Sequence, residues 1–329
     1  MSHPVIPLQA TAAGASGRHP APTRIGARTF VWGERTFVMG ILNVTPDSFS
    51  QDGLLAGSRA RTAEAASVVD AGTGDGRDAE DGLHRAVDLA RAMAEAGADL
   101  LDIGGESTRP GHERVDAAAE RARVIPVIAA VRAALPDMPI SVDTTKADVA
   151  EAALAAGADL LNDVSATLPG SGLEPVAAAH GVPLVLMHNR AEARYTTLLP
   201  EIIADLQAAI ERARRAGVRE EDLIVDPGFG FGKTAAHNID VLRHLAALRL
   251  LGRPILLGTS RKSTLGRILD LPVDQRLEAT LATTALGIAS GVDIVRVHDV
   301  RANVRVARMS DAVVRGSWPP DDPARGGPS

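Results

Sequence analysis

A regular rhythm runs through this chain. Eight short apolar runs recur, at residues 38–42, 100–103, 140–142, 160–161, 183–187, 223–225, 255–257 and 294–297. Ala- and Leu-rich stretches of helical period lie between them, among them 83–96, 146–156, 199–216, 239–251 and 275–290. Short runs that are apolar at nearly every position suit strands of a parallel sheet buried on both faces. Eight strand–helix units within 329 residues is the count of a single-domain TIM (β/α)8 barrel, an α/β fold. An open, doubly wound sheet ranks second.

Each run ends in a polar or Gly-rich segment. In order these are Asn43, Gly104 to Arg109, Asp143, Asn162-Asp163, His188-Asn189, Asp226, Gly258 to Lys262, and the Arg296/His298 pair. In a barrel the C-terminal strand ends converge on one mouth. Residues scattered from 43 to 298 would therefore line one pocket. Asp and Asn after a strand also cap helices, and one or two of these do only that. Eight such strand ends together point to a shared site.

Composition narrows the chemistry. The chain has no cysteine, which removes disulfides, thiolate nucleophiles and Cys-based zinc sites and fits a reducing cytoplasm. A net charge of −6 without a basic stripe argues against a nucleic-acid partner. No apolar run approaches the roughly 20 residues that span a bilayer, and no secretory signal is expected. Aromatic residues are 2% of the chain, so a flat heteroaromatic ligand would need a guanidinium plane or a lone Phe to stack on.

Residues 1–25 and 316–329, rich in Ala, Pro and Gly, read as disordered tails around a 26–315 domain. A short N-terminal hairpin is expected, with strands at 29–32 and 35–37 flanking Gly33-Glu34. Residues 54–80 read as a flexible insertion in the first βα loop. The stretch Gly228-Phe229-Gly230-Phe231-Gly232-Lys233-Thr234 looks like a phosphate-binding loop, but it is one residue short of that pattern and Pro227 stands where its first Gly should be. A nucleotide site is rejected on that ground. Asp102 sits inside an apolar strand and must be paired. His188 reads equally as a core histidine or a ligand, Asp47 reads as a turn former, and Arg261 is assigned no role.

Seven motifs in order give the chain a resemblance to the dihydropteroate synthase family. They are Asn43 to Ser50 (NVTPDSFS), Asp102 to Gly111 (DIGGESTRPG), Ser141 to Thr144 (SVDT), Asn162 to Ser165 (NDVS), Asp226 to Lys233 (DPGFGFGK), Ser260 to Lys262 (SRK) and Arg296 to Asp299 (RVHD). The family fold is a TIM barrel, in agreement with the strand count. The resemblance implies an enzyme that joins dihydropterin-hydroxymethyl pyrophosphate to para-aminobenzoate, with a dissociative loss of pyrophosphate. It also implies a homodimer and Mg2+.

Residue roles follow from the resemblance alone. Asp143, Asn162 and Asp226 resemble the readers of the pterin edge, with Lys262 at the pterin carbonyl and Arg296 stacked on the ring. Thr108, Arg296 and His298 match pyrophosphate contacts, and Asn43 matches the residue tied to magnesium. Ser107, Arg109, Pro110, Phe231 and Ser263 fall where the family builds its aminobenzoate site. Lys262, Arg296 and His298 are the catalytic set so implied. The sequence departs from the family where Gln51 replaces an acidic residue after Phe49-Ser50, with Asp52 the nearest substitute. Two rival readings stay open: a non-catalytic pterin-binding paralogue, which the altered first loop favours, and a methyltransferase passing a folate methyl to a corrinoid protein. The second should lack both the 45–50 and the 106–111 motifs, which are present.

Overall fold

The computed structural model describes residues 19–44, 76–106, 115–168 and 172–317. The chain enters through an antiparallel hairpin, β1 (Thr23–Ile25) and β2 (Arg28–Phe30). The repeating units then follow. β3 (Phe37–Asn43) leads to α1 (Gly76–Glu95), β4 (Leu100–Gly104) to α2 (Ala117–Ala134), β5 (Ile140–Asp143) to α3 (Ala147–Ala155), and β6 (Leu160–Asp163) to α4 (Glu174–His180). β7 (Leu184–Met187) leads to α5 (Leu198–Ala216), β8 (Leu223–Asp226) to α6 (Ala235–Arg243), β9 (Leu256–Leu257) to α7 (Ser263–Leu269) and α8 (Leu277–Ala289), and β10 (Ile294–Val297) to α9 (Val300–Val314).

The eight strands β3 to β10 are parallel, in the order β8-β7-β6-β5-β4-β3-β10-β9. A single parallel bridge between Val225 and Ile255 joins the two ends of that order, reinforced by Val225 N donating to the Pro254 carbonyl at 2.9 Å. The result is a nearly closed TIM barrel. No described helix is long and apolar enough to cross a membrane.

Two apolar layers follow from the strand period of two. Side chains facing outward, such as Leu101, Ile103, Val142, Leu161, Leu186 and Val225, pack under the helices in one large core. Helix α5 shows how the helices meet it: Ile202, Leu206, Ala209, Ile210 and Ala213 fall on one buried stripe. Inward-facing Met39, Leu100, Leu160, Val185, Ile224, Leu256 and Ile294 form a second core inside the barrel. Phe30, Trp32 and Phe37 join that inner core from below and pack ring against ring, Phe30 stacked on Trp32 and Phe37 edge-on to Trp32, with centroids 4.6–5.8 Å apart. The N-terminal hairpin is thus the plug of the barrel floor.

Three boundaries differ from the sequence expectation. The hairpin turns at Gly26-Ala27, inside and beside the stretch read as a disordered tail, because Ile25 is buried and the Thr23 hydroxyl both donates to the Glu221 carbonyl at 2.5 Å and accepts from Trp32 Nε1 at 3.0 Å. Residues 29–37 carry the plug's aromatic rings instead of forming a hairpin about Gly33. Helix α1 begins at Gly76, so the last five residues of the proposed 54–80 insertion are helical. Residues 54–75 lie outside the described residues. The single helix expected over 239–251 is α6 followed by a 3-10 turn, Leu245–Leu251. Its buried Leu245, Leu248 and Leu251 recur every three residues, which is the 3-10 period.

Candidate active site

The inner core stops half-way up the barrel, and the next inward positions are polar. Leu100 is followed two residues on by Asp102, Leu160 by Asn162, Ile224 by Asp226 and Ile294 by Arg296. Asp143 ends β5, opposite Gly104 of β4 and Asn162 of β6. The polar residues thus occupy the C-terminal mouth of the barrel, where catalytic groups sit in this architecture.

Arg296 ties the layer together. Its Nε donates to Asp102 Oδ2 at 2.5 Å, and a terminal nitrogen donates to Asp143 Oδ2 at 2.7 Å. Asn162 Nδ2 donates to the same Asp102 oxygen at 3.0 Å. The other oxygens, Asp102 Oδ1 and Asp143 Oδ1, are buried without a partner, as is Ser141 Oγ. Each such group costs about 1–3 kcal/mol when left unmade. On the far side, Asp226 Oδ1 accepts from the Gly228 amide at 2.6 Å. Lys262 donates to the Phe229 carbonyl and stands 4.6 Å from the Phe231 ring centroid.

Burial dominates the electrostatics. It pushes the Asp143 carboxyl up to about 7, against the pull of Arg296 and with repulsion from Asp102. It raises Asp226 too, against Lys262. The same desolvation lowers Lys262 to about 8, although Asp226 supports its charge. The site is therefore a cluster of buried opposite charges, with acceptor capacity left unused on Asp102 and Asp143. A ligand edge carrying several N–H donors would satisfy them.

Asp143, Asn162, Asp226, Lys262 and Arg296 are thus brought into one cluster. His298 stands beside it, its Nδ1 2.9 Å from Ser260 Oγ, which also accepts from the His298 amide at 3.2 Å. Asn43, half-buried, ends β3 opposite Gly104. Ser263 is exposed at the start of α7, and Phe231 is half-exposed in the loop after β8. Ser107, Thr108, Arg109 and Pro110 lie outside the described residues. Asp102, which sequence reasoning left off the site, stands at its centre; the signal was a carboxylate in an apolar run with a pairing obligation. Arg261 is bidentate to Asp299. The loop after β8 is no phosphate cradle: Lys233 is turned back onto the carbonyls of Gly228 and Phe231.

A groove of about 890 Å3 opens at the opposite end, between α1, α2 and α9. It is lined by Asp99, Leu135, Arg308 and Asp311 among others, and none of the residues at the barrel mouth borders it.

A family profile described as "Pterin binding enzyme" matches residues 73–298. A dihydropteroate synthase of Bacillus subtilis is 47% identical over 281 residues, covering 85% of this chain and 90% of that protein. An "inactive dihydropteroate synthase 2" of Mycobacterium tuberculosis is 40% identical over 312 residues, covering 90% and 88%. The crystal structure of a Clostridium difficile dihydropteroate synthase obtained with pteroic acid superposes with a TM-score of 0.77 at 46% identity, covering 87% of this chain and 99% of that one. A barrel whose mouth gathers three buried acids, an amide and two cations, and whose sequence follows these proteins almost end to end, belongs to the pterin-binding enzyme family, among the dihydropteroate synthases.

Proposed function

We propose that the chain condenses dihydropterin-hydroxymethyl pyrophosphate with para-aminobenzoate, giving dihydropteroate and pyrophosphate in folate synthesis. The observation that carries this reading is the pair of buried, unpartnered carboxylate oxygens on Asp102 and Asp143 beside Asp226. A pterin's amino-pyrimidinone edge offers N–H donors in a row, which such acceptors would take up. In this reading Asp143, Asn162 and Asp226 read the edge, Lys262 meets the ring carbonyl, and the Arg296 plane stacks on the ring.

Pyrophosphate departure develops negative charge, which the Arg296 guanidinium and the donors of His298 and Thr108 would stabilise. Burial of the pterin edge against carboxylates favours the cation left behind, and the arylamine then attacks it from a subsite of Ser107, Arg109, Pro110, Phe231 and Ser263. The C–O bond breaks with its electron pair on pyrophosphate, the new C–N bond takes the amine pair, and the amine proton is released. No protein nucleophile enters the sequence.

Magnesium belongs to this proposal. Among the described residues no cluster of three His, Cys, Asp or Glu could hold a metal. The Asn43 amide at the rim fits an ion held mainly by water and phosphate oxygens, as magnesium prefers. When bound it would supply charge neutralisation to the leaving group. A cytoplasmic location and a homodimer are proposed as well. The dimer is supported by Leu286, Met309 and Val313, which stay exposed on α8 and α9.

The competing reading is a protein that binds pterin without turnover. It is favoured by Gln51 and by the similarity to the inactive mycobacterial protein. Pyrophosphate release, measured with the pterin pyrophosphate and with or without para-aminobenzoate, separates the two. Arylamine-dependent release with formation of dihydropteroate is expected. Pterin binding with no release would establish the non-catalytic protein.

A further inference from the structure

The Gly-Phe-Gly-Phe-Gly loop after β8 is laid directly on the backbone that leaves β7. Gly228 and Gly232 have φ of +66° and +54°, and a Cβ at either would collide with the His188 carbonyl or the Arg190 backbone. Only glycine serves at such positions. What holds the loop down is a buried polar chain that the proposed chemistry does not use. His188 is fully buried, its Nε2 3.1 Å from Asp205 Oδ2 on α5. Its Nδ1 faces Lys233 Nζ at 2.8 Å. Lys233 spends its other two protons on the carbonyls of Gly228, at 3.0 Å, and Phe231, at 3.1 Å. All three ammonium donors are thus occupied inside the protein, which leaves this lysine a fastening and not a ligand contact. Burial, with the neighbouring Lys233 charge, holds the His188 imidazole down to about 3. It is neutral, and Nδ1 can accept from Lys233 while Nε2–H donates to Asp205.

We infer that Lys233, seated on His188, is a positioning residue that fixes the Phe231 ring against Lys262 and so shapes the arylamine side of the site. The inference rests on the reading of Phe231 given above. The geometry makes it local. The first half of the loop has its own anchors, Gly228 N on Asp226 and Gly230 N on Asn238 Oδ1 at 2.8 Å. The Phe231 end depends on Lys233, with Tyr195 Oη holding the next carbonyl, that of Gly232, at 2.8 Å. Loss of the clamp should therefore loosen arylamine binding and leave the pterin edge in place.

The test is steady-state kinetics with para-aminobenzoate, together with calorimetry of a pterin, on the full chain. Lys233→Met should raise the KM for para-aminobenzoate about tenfold or more, as expected for losing charged hydrogen bonds, with pterin affinity within about twofold of wild type. His188→Gln keeps an acceptor for Lys233 and a donor for Asp205, and should retain most arylamine affinity; His188→Leu should reproduce the Lys233→Met defect. If Lys233→Met fails to fold, the two His188 variants decide. Unchanged KM in Lys233→Met, or equal losses of arylamine and pterin affinity, or identical behaviour of the two His188 variants, would overturn the positioning role. A wild-type chain that neither binds pterin nor turns over would overturn the functional reading instead, which the same measurements reveal separately.

Discussion

Arg296 bridges Asp102 and Asp143 with two different nitrogens, a task set by the planar guanidinium fork. An ammonium is a point charge and cannot span both carboxylates while presenting a flat face. Arg296→Lys should therefore lower turnover by about a hundredfold, as expected when one partner of a buried pair is left uncompensated by about 3 kcal/mol; wild-type turnover in that variant would remove the bridging and stacking roles. Asp143 makes a second prediction, in pH. Its folded carboxyl titrates near 7 because burial outweighs the pull of Arg296. Between the ordinary carboxylate range and that value the folded chain keeps a proton the unfolded chain has released, so this group's contribution to stability falls as pH rises through the window. Asp143→Asn should accordingly gain melting temperature relative to wild type from about pH 5 to about pH 8, while losing pterin affinity by about 2–4 kcal/mol. A melting difference independent of pH would show that Asp143 is ordinary in the free protein.

Among the elements, the N-terminal hairpin and the β8 loop sit at opposite ends of the same strands and should separate stability from activity. Trp32 is one of the largest fully buried side chains and closes the barrel floor against Phe30 and Phe37. Trp32→Ala should cost about 3–5 kcal/mol in denaturant unfolding through the cavity it leaves. The KM values of the folded fraction should stay near wild type, because the inner core of Met39, Leu100 and Ile224 lies between the floor and the mouth. Altered KM values at unchanged stability would show that floor and mouth are coupled. The hairpin was also the element least legible in the sequence. Its strands are three residues each, and the stretch before Arg28 is rich in Ala, Pro and Gly. What orders it is tertiary: Ile25 buried in the barrel and a hydroxyl shared between Trp32 and Glu221.

At the scale of the whole molecule, the barrel was readable because two periods run through the sequence at once. Strands such as Leu100 to Gly104 are apolar on both faces, and their polar exceptions, Asp102, Asn162, Asp226 and Arg296, all come two residues after an inward apolar side chain. That register stacks a polar layer on an apolar one, so the mouth could be inferred before any contact was seen. What could not be read were the links across it. Nothing in the sequence says that Arg296 bonds Asp102, 194 positions away, or that Lys233 turns inward to His188 instead of outward to a phosphate. Such pairings are set by strand order and burial, which only the assembled barrel fixes. In the function proposed, the C-terminal mouth receives a pterin on its unpartnered acids. The most direct measurement is a crystal structure of the chain soaked with a pterin. The ring is predicted with its N–H edge on Asp143, Asn162 and Asp226 and its face against Arg296. A ring bound elsewhere, or one whose edge leaves Asp143 Oδ1 without a partner, would contradict it.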